Sequence, residues 1–237
     1  MKTSTAVAQP STGIATRPEF WERFWQTAGI QSVVLFACAY FLYGYPPPLD
    51  ASDDLLLTFY AGSRVRVLIA SICGGLAVLN LMWFAATLRT TLADSGQGGW
   101  GAAATASSAA LGAIVLLLFT VCAALAYAGA QSSAQVLRAL NDATWAGLVV
   151  SSFPRAMLTM AAAFGLWRAR LISNRMFALG VAAVVLLLIA GTTWAHGGFW
   201  APDALYSRSI APIVGALWLL MVSGVLLKRP PTARAAW

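Results

Sequence analysis

The sequence predicts an all-α polytopic membrane protein of six transmembrane helices, with both termini cytoplasmic and an amphipathic interfacial helix before the first span. Three observations carry this prediction. First, 59% of the 237 residues are hydrophobic and only 10% are charged, against about a quarter charged in a soluble domain of similar size. That leaves too little polar surface to cover a globule in water, so lipid is the solvent for most of the chain. Second, the apolar segments are continuous and lack period-two alternation, which reads as helices rather than barrel strands. Third, Lys and Arg divide unevenly between alternate connections.

Taken in order, residues 1–17 form a polar Ser/Thr/Pro-containing stretch, expected as a disordered cytoplasmic tail. It has one Lys and no compact apolar core, so it does not read as a secretory leader. Residues 18–29 fit the interfacial helix. At about 100° per residue, Phe20, Trp21, Phe24 and Trp25 gather on one side, with Glu19, Glu22, Arg23 and Gln26 on the other. Pro18 suits a first helical turn. The segment reads as an anchor in the cytoplasmic leaflet or as a docking surface for a partner protein.

A hydrocarbon core of about 30 Å needs about 20 helical residues. The transmembrane domain, 28–228, supplies six such segments, at about 28–45, 66–88, 104–129, 144–167, 175–195 and 209–227. Pro46-Pro47-Pro48, Gly96-Gln97-Gly98-Gly99 and Gly197-Gly198 fall between them. In the first outer loop, Asp53 and Asp54 favour a helix start, and Leu55 to Tyr60 lie along the outer interface or extend the second span. Gly74, Gly75 and the series Ala104, Ser108, Gly112 predict close helix packing. Residues 229–237 form a second cytoplasmic tail.

Lys2, Arg17, Arg23, Arg89, Arg168, Arg170, Arg175, Lys228, Arg229 and Arg234 fall on one side; Arg64, Arg66, Arg138 and Arg208 fall on the other. The first side is therefore cytoplasmic, and the absence of a glycosylation sequon fits a bacterial inner membrane. The net charge of +7 belongs to this bias. With no run of five basic residues, it does not read as a nucleic-acid footprint. Cys38, Cys73 and Cys122 all sit in apolar stretches and read as small buried side chains, not a disulfide framework.

Residues suited to catalysis are scarce at membrane depth. All eight Asp and Glu lie outside the six spans, which counts against proton coupling. A single His excludes bis-His haem ligation within one chain, and HExxH, GxSxG, phosphate-loop and CxxC motifs are absent. A non-enzymatic protein without a cofactor or metal is expected.

The candidate site is Arg155, about 18 Å from either end of the fourth span. Thr144 and Ser151 share its helix face, and Ser152 and Thr159 flank it, so this face looks into the bundle. Pro154 cannot donate to the Val150 carbonyl, which leaves an acceptor for an arginine. Three readings stand. Arg155 is a structural tie to carbonyls and hydroxyls; or it holds an anionic headgroup, carboxylate or phosphate. In the third, the span is 148–167 and Arg155 snorkels outward. Asn80 reads as a helix–helix hydrogen bond or a ligand contact. His196, beside Trp194, Phe199 and Trp200, reads as interfacial or as a pH-sensitive ligand contact.

The stretch "LNDATWAGLVVSSFPRAMLTMAAAFGLWRARLISNRMFALGVAAVVLLL", then "GGFWAPD" and "LWLLMVSGVLLKRP", resembles a group of uncharacterised six-span membrane proteins common in actinobacteria. The resemblance covers roughly the C-terminal half and rests on Ser-x-Pro in the fourth span, a short basic turn and a terminal Leu-Leu-x-Arg-Pro. It implies a six-span bacterial inner-membrane protein and brings no activity or site residues. The function expected is binding, or transport, of an anionic or amphipathic small molecule or lipid. The alternative is a structural or accessory subunit, with other membrane proteins or a second copy as partners.

Overall fold

The computed structural model describes residues 26–128 and 133–228. The tails at 1–17 and 229–237, and the interfacial helix at 18–29 up to residue 25, lie outside these residues. Ala28 and Gly29 belong to the first helix of the bundle.

Among the described residues every regular element is helical. Helix α1 spans Ala28–Tyr43 and ends at Gly44, whose φ of 78° needs a residue without a Cβ. Helix α2, Asp53–Gly62, starts at Ser52, whose side chain accepts from the Leu55 amide, with Asp53 and Asp54 in its first turn as the sequence predicts. It is a separate element, because Ser63 interrupts the chain before α3, Arg64–Asp94. Helix α4 is Gly98–Ala128.

The turn between α3 and α4 is far shorter than the expected gap between 88 and 104. Thr87, Thr91 and Ser95 each bond back to a carbonyl four residues earlier, so the helix continues past its apolar part. Gly96, at φ +72°, and the Gln97 amide bonded to Leu92 then close it.

Helices α5, Ala134–Val150, and α6, Ser152–Arg168, form one 35-residue column interrupted at Ser151. This places Asp142, expected in a loop, on a helix. Helix α7 is Asn174–Ala190, and α8 is Ala211–Leu227, preceded by a π-helical turn at Tyr206–Ile210. Pro212 has no amide hydrogen for the Arg208 carbonyl, which accounts for the widened turn just ahead of it. Four columns are long and apolar enough to cross a membrane: Arg64–Asp94, Gly98–Tyr127, Ala134–Arg168 and Tyr206–Leu227. Helices α1 and α7, with 16 and 17 residues, are shorter apolar helices.

The helices pack in chain order around a closed circuit. Helix α1 lies against α3, α3 against α4, α4 against α5 and α6, α6 against α7, α7 against α8, and α8 returns to α1. Helix α6 also touches α8. One end, the loop end, carries the long connections at 44–63 and 191–205; the other, the turn end, carries the short ones at 95–97 and 169–173. The main core sits toward the turn end, where Leu88 and Leu92 of α3, Leu166 of α6 and Val222 of α8 are fully buried. Gly74 and Gly112 lie at the α3–α4 contact as predicted: a Cβ on Gly74 would overlap the Phe119 ring, and one on Gly112 would press Val78. Gly75 faces open space.

Candidate functional site

Arg155 lies in the first turn of α6, four residues after the break at Ser151. Its amide closes on the Ser151 carbonyl at 3.2 Å, so the backbone stays near-helical across the interruption. The side chain runs against α8, with Cδ 3.9 Å from the place a Cβ would take on Gly215. Glycine there leaves room for an arginine stem between two packed helices. Nη2 donates to Ser151 Oγ, and Ser151 Oγ donates to the Leu148 carbonyl at 2.6 Å. The guanidinium therefore points toward the loop end, the direction in which helical side chains lean.

That is the one hydrogen bond the Arg155 guanidinium makes among the described residues, out of five N–H donors. The expected bond to the Val150 carbonyl is replaced by the bond to Ser151 Oγ. Among the described residues no carboxylate lies within ion-pair distance of Arg155, and the one ion pair is Arg138–Asp53, at the loop end. Arg155 is half-buried, while Ser151, Ser152 and Thr159 on the same column are buried. Ala156 packs with Tyr206 and Ala211, so the two proline-interrupted stretches, Pro154 and Pro212, stand at the same level on facing helices. Arg155 thus lies where the column interrupted at Ser151 packs against α8, just after its π-helical turn.

Neither family models nor curated proteins nor solved structures match this chain. The functional reading therefore stands on the site.

The other sequence candidates do not join Arg155. Asn80 donates to the Leu76 carbonyl of its own helix at 2.9 Å, not across to a neighbour. His196 is exposed in the connection between α7 and the π-turn. Thr144 bonds back to the Asn141 carbonyl at 2.7 Å.

A second polar group, at the loop end, is absent from the sequence prediction. Asn141 of α5 is fully buried. Its Oδ1 accepts from the Tyr60 hydroxyl at 2.8 Å, and its Nδ2 donates to the carbonyls of Pro47 and Pro48 at 3.3 and 3.4 Å. Trp145 Nε1 donates to the same Pro47 carbonyl at 2.9 Å. The three prolines have no amide hydrogens to offer, and the Pro47 and Pro48 carbonyls are met by Asn141 and Trp145, with the Ala51 amide adding a bond to Pro48 at 3.2 Å. Burial pushes the Tyr60 hydroxyl above its ordinary value, which keeps it protonated as the donor to Asn141. The Leu49 amide reaches Asp203 at 3.4 Å, tying the first long connection to the last. This group is structural in its chemistry, since every partner named is part of the chain. No sequence signal marks it, since Asn141 sits between Arg138 and Asp142 in a helix stretch of mixed polarity.

Two open concavities mark the described surface. One, of about 410 Å³, lies at the α3–α4 turn around Gln97 and Trp100. The other, of about 370 Å³, lies between α4 and α6 and is lined by Ala103, Ser107, Ala110, Phe153, Pro154 and Met157 among others. Neither is lined by Arg155.

Proposed function

We propose that the chain is a non-enzymatic six-span membrane protein, turn end inside, that holds an amphipathic anion at Arg155. The supporting observation is a guanidinium with four donors unclaimed and no carboxylate in reach, between two packed helices. A charge in that position stays costly unless an anion or water meets it.

The depth favours a ligand from the outer half of the bilayer. Counting about 30 Å from Arg168 reaches Leu148, so Arg155 stands in the outer half with its head aimed further outward. This supports the span 148–167, with Trp145 and Asn141 rising above it under the first long connection. Helices α1 and α7, of 16 and 17 residues, complete the six spans at or just below the short end of the usual range. The charges support the orientation: among the described residues Arg89, Arg168, Arg170, Arg175 and Lys228 stand at the turn end with one acid, Asp94. A bacterial inner membrane accords with the resemblance noted above.

Titration of oleate into the protein in neutral detergent tests this reading. Arg155→Gln is expected to weaken binding by about tenfold or more, the loss of one charge-assisted contact, and Arg155→Lys to restore part of it. Equal binding by all three proteins overturns the reading. Inorganic phosphate in place of oleate separates a headgroup-only site from one that needs the tail.

A second reading, an accessory subunit, is favoured by the groove between α4 and α6. Ala103, Ser107 and Ala110 present small residues at helical spacing beside Phe153 and Met157, the surface on which a partner helix packs closely. A monodisperse, fully stable monomer in detergent contradicts it.

A further inference from the structure

The turn end gathers cations that the bundle itself does not neutralise. Helices α6, α7 and α8 touch pairwise. Their ends meet on the same side, since Leu166, Ile172 and Leu226 share one buried cluster with Met176 packed against it. There Arg168 closes α6, Arg170 and Arg175 flank the turn into α7, and Lys228 follows α8. All four are exposed, and none of their side chains has an ion-pair, hydrogen-bond or ring partner among the described residues. Arg170 is moreover the one non-glycine among them with positive φ, 57°. It occupies the position after a helix where glycine is favoured, with the Leu171 amide closing on the Leu166 carbonyl at 2.8 Å. The local fold gives no reason for a long basic side chain at that point.

Aromatic rings mark the same level. Trp167 stacks on Phe177 at 4.5 Å and donates to Asn174 Oδ1 at 2.9 Å, while Trp100 stacks on Phe164 at 5.4 Å. Half-exposed indoles with a polar tip are typical of the headgroup layer. Cations from three helix ends, beside such rings, suit a headgroup with more than one negative charge.

We infer that the ends of α6, α7 and α8 form a headgroup site for an acidic phospholipid of the inner leaflet, with Arg168, Arg170, Arg175 and Lys228 as its cations. The inference rests on the membrane orientation proposed above, but not on ligand binding at Arg155. An acidic protein segment is the rival occupant.

Native mass spectrometry of full-length protein released from vesicles tests it, with phosphatidylcholine mixed with either cardiolipin or phosphatidylglycerol. Wild type is expected to retain cardiolipin over phosphatidylcholine, with phosphatidylglycerol between them. The quadruple variant Arg168→Gln, Arg170→Gln, Arg175→Gln, Lys228→Gln should lose that preference, and each single variant should weaken retention by about fivefold. Arg89→Gln should leave it unchanged. Should the quadruple variant fail to fold, the single variants and the wild type carry the test. Raising ionic strength from about 0.05 to about 0.5 M before release should strip cardiolipin and spare phosphatidylcholine. Wild type showing no preference for acidic lipid, or a preference untouched by the Gln variants, overturns the inference and leaves an acidic protein as the occupant. If Arg155→Gln alone removes cardiolipin, the lipid belongs to the other site.

Discussion

The two ends of the bundle handle their arginines in opposite ways. At the loop end every arginine has a partner within the chain. Arg138 pairs with Asp53 at 2.6 Å, Arg64 lies over Tyr127 at 4.4 Å, Arg208 over Tyr45 at 4.0 Å, and Arg66 donates to Ser63 at 3.1 Å. Five acids share that end: Asp50, Asp53, Asp54, Asp142 and Asp203. At the turn end the described residues include five exposed cations and one acid, and none of these cations has a side-chain partner among them. A closed polar lattice is a device for holding long connections in place. A set of unpartnered charges at the edge of a packed core is a surface prepared for something else. Arg155 stands between the two ends and resembles the turn end in its lack of a counter-charge.

The comparison can be broken most severely at Asn141. Asn141→Ala removes the 2.8 Å acceptor of the buried Tyr60 hydroxyl and one of two donors to each of the Pro47 and Pro48 carbonyls, and should cost about 3 kcal/mol of stability. The check is the unfolding midpoint in detergent, together with faster proteolysis between residues 44 and 52. A loss confined to a few tenths of a kcal/mol would show that the loop end is not held by this network. Gly74→Ala forces a methyl into the Phe119 ring and should cost about 2 kcal/mol without altering proteolysis of the loops.

Arg170→Gly sharpens the contrast from the other side. Relieving the left-handed backbone should raise stability by about 1 kcal/mol, while acidic lipid retention falls. A variant that loses stability would mean that the side chain is a structural element after all. The smallest effect belongs to Asp53→Asn. Its pair with Arg138 is half-exposed on both sides, so the change in midpoint should correspond to less than about 0.5 kcal/mol.

What the sequence made legible follows the strength of each physical signal. Apolar runs of twenty residues announced the columns, and Asp53-Asp54 announced the start of α2. Boundaries were missed where polar residues stay helical by bonding to their own backbone, as Thr87, Thr91 and Ser95 do at the end of α3. The stripe of Ser151, Ser152, Arg155 and Thr159 was readable because one charge in an apolar helix fixes which face is inward. Asn80 and His196 could not be sorted by sequence: an amide can bond to its own helix or another, and only the fold shows Asn80 taking the Leu76 carbonyl. Asn141 was invisible because its partners are backbone carbonyls more than ninety residues away.

The central claim is that Arg155 keeps donors free for an anion. A cryo-EM map of the protein in lipid nanodiscs, at a resolution that shows the guanidinium, tests it most directly. The account predicts non-protein density within hydrogen-bond distance of Nε or Nη1, on the side facing the loop end, and its loss in Arg155→Gln. A guanidinium whose five donors all end on protein carbonyls and hydroxyls would contradict it.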